Sequence, residues 1–445
     1  MTNTCLTAQI TSGGDERIAL DPASGLNKYF CSPIPCLDAV CLSSCTASPI
    51  SKSSFDAVAC VLDRLSNLDD VQFFNGIASA VGHIHGRIAR ALQVQDLAEV
   101  IVCPSGTDAM LTATVLLAME SSGKPMTMVL PAASETGSGV PLAMRGRPFA
   151  QADSSASALV DCVIAQIQIA LRETTGEPRL AEMVSRDFAR AAASACSRAV
   201  IVLTHQTKTG LIAPAEPPNG EDVIVDACQA RITAGMIRSY LARGWLVVVT
   251  GSKFYGGPAF SGAVLVPSAR WARSQRLSVL ANHAALPGRP GGQQANLGMM
   301  LRWEAALAEM EAFASDAGRF GKRTLSQAIM VRDKLLSNHC LLDVGSDQRF
   351  GPDWANGPTI FTFGLRHLKD PHRLQSMTEL RVIYETLARE GVLLGQPVNL
   401  GPFGGLRVAV GARDARNVAF SAGLDRLFEL LEWLGTVPSD TRDVS

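Results

Sequence analysis

Six short apolar runs, at residues 100–103, 126–130, 200–203, 223–225, 246–249 and 262–266, constrain this chain more than any other feature. They are too short for buried helices and lack the alternation of a strand with one wet face, so they read as strands covered on both sides. Helical patterns fall around them, with residues 53–66 and 77–92 among them. Strands alternating with helices dictate an α/β fold whose mainly parallel sheet carries helices on both faces. The carboxyl ends of such strands form the cleft.

After residue 266 the character changes. A Pro- and Gly-rich loop at 286–292 precedes helical stretches through about residue 336, which read as the bridge to a second lobe. Strand patterns at 358–363 and 406–410 with helical patterns at 374–391 and 417–434 make that lobe α+β. Residues 1–40 lack sustained periodicity and are rich in Ser, Thr, Gly and Pro, as expected of an arm lying on another surface. A chain of 445 residues is too long for one ordinary core. The expected division is an arm at 1–52 reaching the site entrance and small lobe, a large cofactor-binding domain at 53–294, and a linking helix with the small domain at 295–445.

Two of the apolar runs end in charge. One delivers Lys253 into a turn of small residues, Thr250-Gly251-Ser252-Lys253, followed by Gly256-Gly257-Pro258; the other ends in Asp226, three residues before Gln229. Alone, such a lysine is usually a solvated strand end, and such an aspartate a turn residue or helix cap. Together they match the needs of pyridoxal phosphate: an amine to form a Schiff base with the cofactor aldehyde, and an acid to keep the pyridine nitrogen protonated so that the ring absorbs electrons. Ser105-Gly106-Thr107 lies between an apolar run and a helical pattern, where backbone amides and a hydroxyl can hold a phosphate at the positive helix end.

With these residues the chain resembles the fold type I pyridoxal-phosphate enzymes, specifically the class V aminotransferase and cysteine desulfurase group, over about residues 40 to 420. Asp226 to Gln229 is similar to its D-x-x-Q, and Ser252-Lys253 with Pro258 to its S-x-H-K-x-x-G-P. Residues 41–51 resemble the opening Y-L-D-N-A-A-T-T-P-x-S, residues 82–90 the H-x-x-G-x-x-A-R helix, and residues 104–109 the S-G-x-T-E-A phosphate loop. Thr209-Gly210 with Pro214 follows T-G-x-x-x-P, and Leu406 to Gly411 follows I-R-x-S-x-G.

The resemblance implies a seven-stranded-type sheet plus a smaller α+β domain, and the cofactor pyridoxal 5'-phosphate. Its catalytic residues are Lys253 and Asp226. Ser105, Gly106, Thr107, Thr136, Thr207, Gln229, Thr250 and Ser252 complete the cofactor contacts, Thr250 and Ser252 as hydroxyl donors. Arg407 forks onto the substrate carboxylate, with Ser44, Cys45, Thr46, Ala47 and Gln206 around the substrate. Arg289, Gly292 and Gln293 belong to a loop reaching a partner subunit's phosphate, so a homodimer with shared sites is implied.

Departures fall near the reacting centre. Where the group places an aromatic ring over the pyridine, this chain offers Ser134 to Gly139, with Thr136 as the stacked residue; N-E-T-G becomes Thr207-Lys208-Thr209-Gly210; and Ser252 replaces a histidine. The expected activity is that of an aminotransferase-like transferase acting on an amino acid. The alternatives are a lyase or C–C bond-forming enzyme, and then a non-catalytic binding module. A desulfurase is disfavoured because the one cysteine beyond Cys228, Cys340, lacks a glycine-rich mobile loop.

Composition excludes other classes. A formal net charge of −1 offers no basic surface for nucleic acid. No apolar stretch has the length of a membrane span and the first twenty residues lack a signal-peptide pattern, so no membrane partner and a cytoplasmic location are expected. Cys31, Cys36, Cys41 and Cys45 read as reduced, mostly buried thiols rather than a metal site, because Cys41 and Cys45 fall within the segment that resembles the group's opening motif.

Overall fold

A computed structural model describes residues 3–67, 69–149, 159–216, 222–274, 297–345, 350–351, 353–367 and 370–436. The strands in chain order are β1 (Val40–Leu42), β2 (Ala98–Cys103), β3 (Met126–Pro131), β4 (Ile164–Ile169), β5 (Arg198–Thr204), β6 (Asp222–Ala227), β7 (Leu246–Thr250), β8 (Gly262–Pro267), β9 (Leu341–Asp343), β10 (Ile360–His367), β11 (Asp370–Leu374), β12 (Val392–Asn399) and β13 (Gly404–Ala409).

Seven of them form the large sheet in the order β2-β8-β7-β6-β5-β3-β4. All are parallel except β8, which runs against both β2 and β7. The period of two assigns each side chain its face: Val223, Val225, Val247 and Val249 join one core, while Ile224, Leu246 and Val248 join the other. Burial on both faces explains the unbroken apolar runs. The Gly106–Glu120 helix covers the second face, and Lys52–Ser66, Asp70–Ala91, Ala181–Ala193, Ala234–Ala242 and Leu297–Ala314 supply the first. Gly262 lets β8 pass against the backbone of Ser105, where a Cβ would collide with its carbonyl.

The small sheet runs β1-β12-β13-β10-β11, with β9 also on β10. It packs on the Met377–Arg389 helix, which opens with a capping box of Ser376 and Glu379, and on Phe420–Thr436. The Leu297–Ala314 helix, expected as the bridge, instead buries Met300, Trp303 and Leu307 in the large-sheet core. The following helix, Ala317–Ser337, carries the chain over and buries Ala328, Val331 and Leu335 in the small lobe.

The arm lies on its own chain. Its short helix, Asn3–Ile10, buries Leu6 and Ile10 in the large core, and Arg302 holds the carbonyls of Ile10 and Ser12 at 2.8 and 2.6 Å. All eleven cysteines are free. Of the four clustered ones, Cys31 and Cys45 are buried, Cys41 is half-buried and Cys36 is exposed, so burial is less complete than expected.

Candidate active site

The strand ends of the large sheet open on a cavity of about 330 Å³ closed by the small lobe and the arm. Asp226 leaves β6 and Lys253 follows β7, the adjacent parallel strand, so two neighbouring carboxyl ends bring acid and amine to one cavity. Burial pushes the Lys253 amine down to about 8, with Cys45 opposing and Arg407 and Arg17 adding to the fall. The amine donates to the Thr46 carbonyl. Asp226 is 6 % exposed, and burial raises its carboxyl above the usual range, offset only by hydrogen bonds from Cys228, whose backbone N–H donates at 3.1 Å. A cation facing Asp226 would restore its charge.

Three polar atoms on the same wall are buried without a partner among the described residues: Thr136 Oγ1, Thr204 Oγ1 and Gln229 Oε1. Gly106 adds a close approach, since a Cβ there would meet Cys228 Sγ at 2.9 Å and Thr250 Cγ2 at 3.0 Å. A buried acid short of a cation, a neutralisable amine, orphaned polar atoms and a helix N-terminus fit pyridoxal phosphate.

Other expected contacts need correction. Thr250 is not a free donor, because its hydroxyl donates to the Cys228 carbonyl at 2.7 Å. The Ser105 hydroxyl caps the Gly106–Glu120 helix, accepting from the Asp108 N–H and donating to the Asp108 carboxylate. Thr207 lines the cavity, yet its hydroxyl donates to Glu135 Oε2 at 2.7 Å. Thr107 and Ser252 lie on the wall as expected.

On the substrate side, Cys45, Thr46 and Arg407 line the cavity. Ser44 and Ala47 do not: the Ser44 hydroxyl accepts from Arg231 and the Ala47 carbonyl accepts from Ser43, both behind the wall. Gln206 reaches the wall, but its amide donates to the Gly357 carbonyl and accepts from Thr359, tying it to the small lobe. Arg407 is buried and donates to Gln396 O, Lys208 O and Thr46 Oγ1 at 2.8, 2.7 and 2.9 Å. Arg289, Gly292 and Gln293 lie outside the described residues.

The cavity also gathers residues that carried no sequence signal. Arg17 and Tyr29 come from the arm, Phe260 follows the lysine turn, and Glu135 lies beside Thr136. Arg17 is held by Asp15 and sits over the Phe260 ring at 4.5 Å. Glu135 is 1 % exposed, pairs with Arg172 at 2.6 Å and accepts from Thr207 and Thr209. Among the described residues no group of three or more His, Cys, Asp or Glu is placed to hold a metal ion, and no helix is long and apolar enough to cross a membrane.

No sequence-family model and no curated protein matches the chain. Solved structures do. The glutamate decarboxylase domain of a diaminobutyrate-pyruvate transaminase and L-2,4-diaminobutyrate decarboxylase from Vibrio parahaemolyticus aligns with a TM-score of 0.58 at 12% identity, over 90% of this chain and 81% of that one. Oryza sativa TDC with PLP and tryptamine gives 0.58 at 13% identity, over 98% and 92%. The Escherichia coli cysteine desulfurase CsdA gives 0.53 at 13% identity, over 89% and 95%. These likenesses establish the fold as that of the fold type I pyridoxal-phosphate enzymes.

Proposed function

We propose that this chain is a pyridoxal-phosphate-dependent enzyme acting at the α-carbon of an amino acid, and that it is a transferase of the aminotransferase kind. The observation that carries the reading is the pairing of Lys253 and Asp226 on adjacent strand ends over one cavity whose wall keeps unpartnered polar atoms. When bound, the cofactor supplies an electron sink for negative charge at the substrate α-carbon.

The protein supplies the rest. Thr107, Ser252 and the amides that open the Gly106–Glu120 helix hold the phosphate, while Gln229, Thr136 and Thr204 offer polar contacts around the ring. Asp226 holds a proton on the pyridine nitrogen. Lys253 anchors the cofactor, and its amine, pushed down to about 8, serves as base and then acid at the substrate carbon. Arg407 reads the α-carboxylate through its planar fork. A guanidinium paired with the carboxylate stabilises a charge that would leave it as carbon dioxide departs, which favours amino transfer over decarboxylation.

The test is product analysis of the cofactor-loaded protein with amino acids and a 2-oxo-acid acceptor. The expected outcome is a 2-oxo acid formed from the donor to no more than one equivalent per site without an acceptor, and catalytically only when an acceptor is present. Carbon dioxide release or elimination without an acceptor would replace the transferase reading by that of a lyase. The proposal includes a homodimer, measurable by sedimentation.

A further inference from the structure

The cavity wall carries four basic side chains, Arg17, Lys208, Lys253 and Arg407, against two acids, Glu135 and Asp226. Most of these charges are already accounted for. Asp15 grips Arg17 through Nε at 2.9 Å and Nη2 at 2.7 Å. Glu135 is taken by Arg172, Thr207 and Thr209. Lys253 and Asp226 belong to the cofactor. Arg407 and Lys208 remain, and they are neighbours, because Arg407 Nη1 donates to the Lys208 carbonyl at 2.7 Å.

Lys208 is half-buried, and its amine makes a long contact of 3.4 Å to the Ala133 carbonyl. Among the described residues it makes no ion pair. Two cations lining one partly closed cavity repel each other, and an anion beside each relieves both the repulsion and the desolvation. One α-carboxylate satisfies Arg407 and leaves Lys208 unmatched.

Resting on the enzyme reading above, we infer that the substrate carries a second anionic group on its side chain and that Lys208 is the residue that reads it. Burial, and after it Arg407, lowers the Lys208 amine, with Glu135 opposing, as expected of a cation waiting for an anion. The ligand class is an amino acid with a side-chain carboxylate, phosphate or sulfonate; the side chain's length decides among them.

The experiment uses the cofactor-loaded protein and matched pairs: L-aspartate with L-asparagine, L-glutamate with L-glutamine, and O-phospho-L-serine with L-serine. Cofactor absorbance change and kcat/KM are measured for wild type, Lys208→Met and Lys208→Arg. Wild type is expected to prefer the anionic member of at least one pair by about tenfold to a hundredfold, the size of a charge-assisted contact. Lys208→Met should bring that ratio close to one, and Lys208→Arg should keep most of it. Neutral members used as well as their acids, or a ratio unmoved in Lys208→Met with cofactor loading intact, overturns the inference and leaves the enzyme reading standing. If no amino acid of either kind perturbs the absorbance, the enzyme reading fails and this inference falls with it.

Discussion

The two walls of the cavity are built on opposite terms. On the large-sheet side, Thr136, Thr204 and Gln229 present buried polar atoms without partners among the described residues, and Asp226 is a buried acid whose hydrogen bonds there come from Cys228. On the small-lobe side the polar groups are tied across to the rest of the chain: Arg407 has three acceptors from the protein, and Gly357 and Thr359 hold Gln206. An unmade buried hydrogen bond costs about 1–3 kcal/mol, so the first wall is held ready for a resident group. On the second wall Arg407 already donates to neutral acceptors of the protein, so a substrate carboxylate must exchange partners with it. Substitutions on the first should strike chemistry, and those on the second should strike binding.

The largest effect is expected at Lys253. Lys253→Ala removes both the anchor and the acid–base group, and turnover should fall by about a thousandfold or more. Borohydride reduction of the wild type followed by peptide mapping should place the pyridoxyl mass on Lys253; finding it on Lys208 would reverse the assignment of the two lysines.

Asp226→Ala follows. Loss of the charge facing the pyridine nitrogen should lower kcat by about a hundredfold or more with the cofactor still bound. Near-normal turnover in the loaded variant would make Asp226 a strand-end residue only, and the contrast between the walls would lose its main support.

Arg407→Lys tests the other wall. It keeps the charge and loses the fork, so KM for the amino acid should rise by about tenfold to a hundredfold while cofactor loading is unchanged. Comparing an active amino acid with its decarboxylated amine sharpens the result, since an amine has nothing for the fork to hold. If wild type accepts both equally, or the variant loses cofactor instead, Arg407 is not the carboxylate clamp.

The same contrast governs what the sequence reveals. Lys253 and Asp226 are legible because each ends a strand buried on both faces, where a charge after an apolar run stands out. Arg17 and Tyr29 are not, because they sit in irregular arm segments whose position depends on distant contacts, such as Arg302 with the carbonyls of Ile10 and Ser12. Strand β4 escapes the apolar pattern because among the described residues it pairs with β3 alone as a sheet edge, and its Gln166 and Gln168 face partly wet surroundings. Strand β12 contains Gly395 and Pro397, poor strand formers, and a register shift against β13. The Thr250 hydroxyl shows a related point: a residue type shows that a donor exists, and only the fold shows that the Cys228 carbonyl already takes it.

The smallest predicted effect lies where the walls meet. Capture of pyridoxal phosphate by the cofactor-free protein requires the neutral Lys253 amine, which burial brings down to about 8, with Arg407 on the opposite wall contributing. Below that value the amine is protonated and capture is slow; above it the rate levels off. From pH 7 to pH 9 the neutral fraction climbs from about a tenth to about nine tenths, so the capture rate should rise about tenfold, whereas an ordinary lysine would still be gaining beyond pH 10. Arg407→Gln removes a cation that disfavours protonation of Lys253, so the midpoint should move to higher pH. Stopped-flow absorbance across this range reads both. A midpoint that stays in place in Arg407→Gln would show that the two walls act independently, and a shift toward lower pH would mean that Arg407 acts on Lys253 through the Thr46 contact they share rather than through charge.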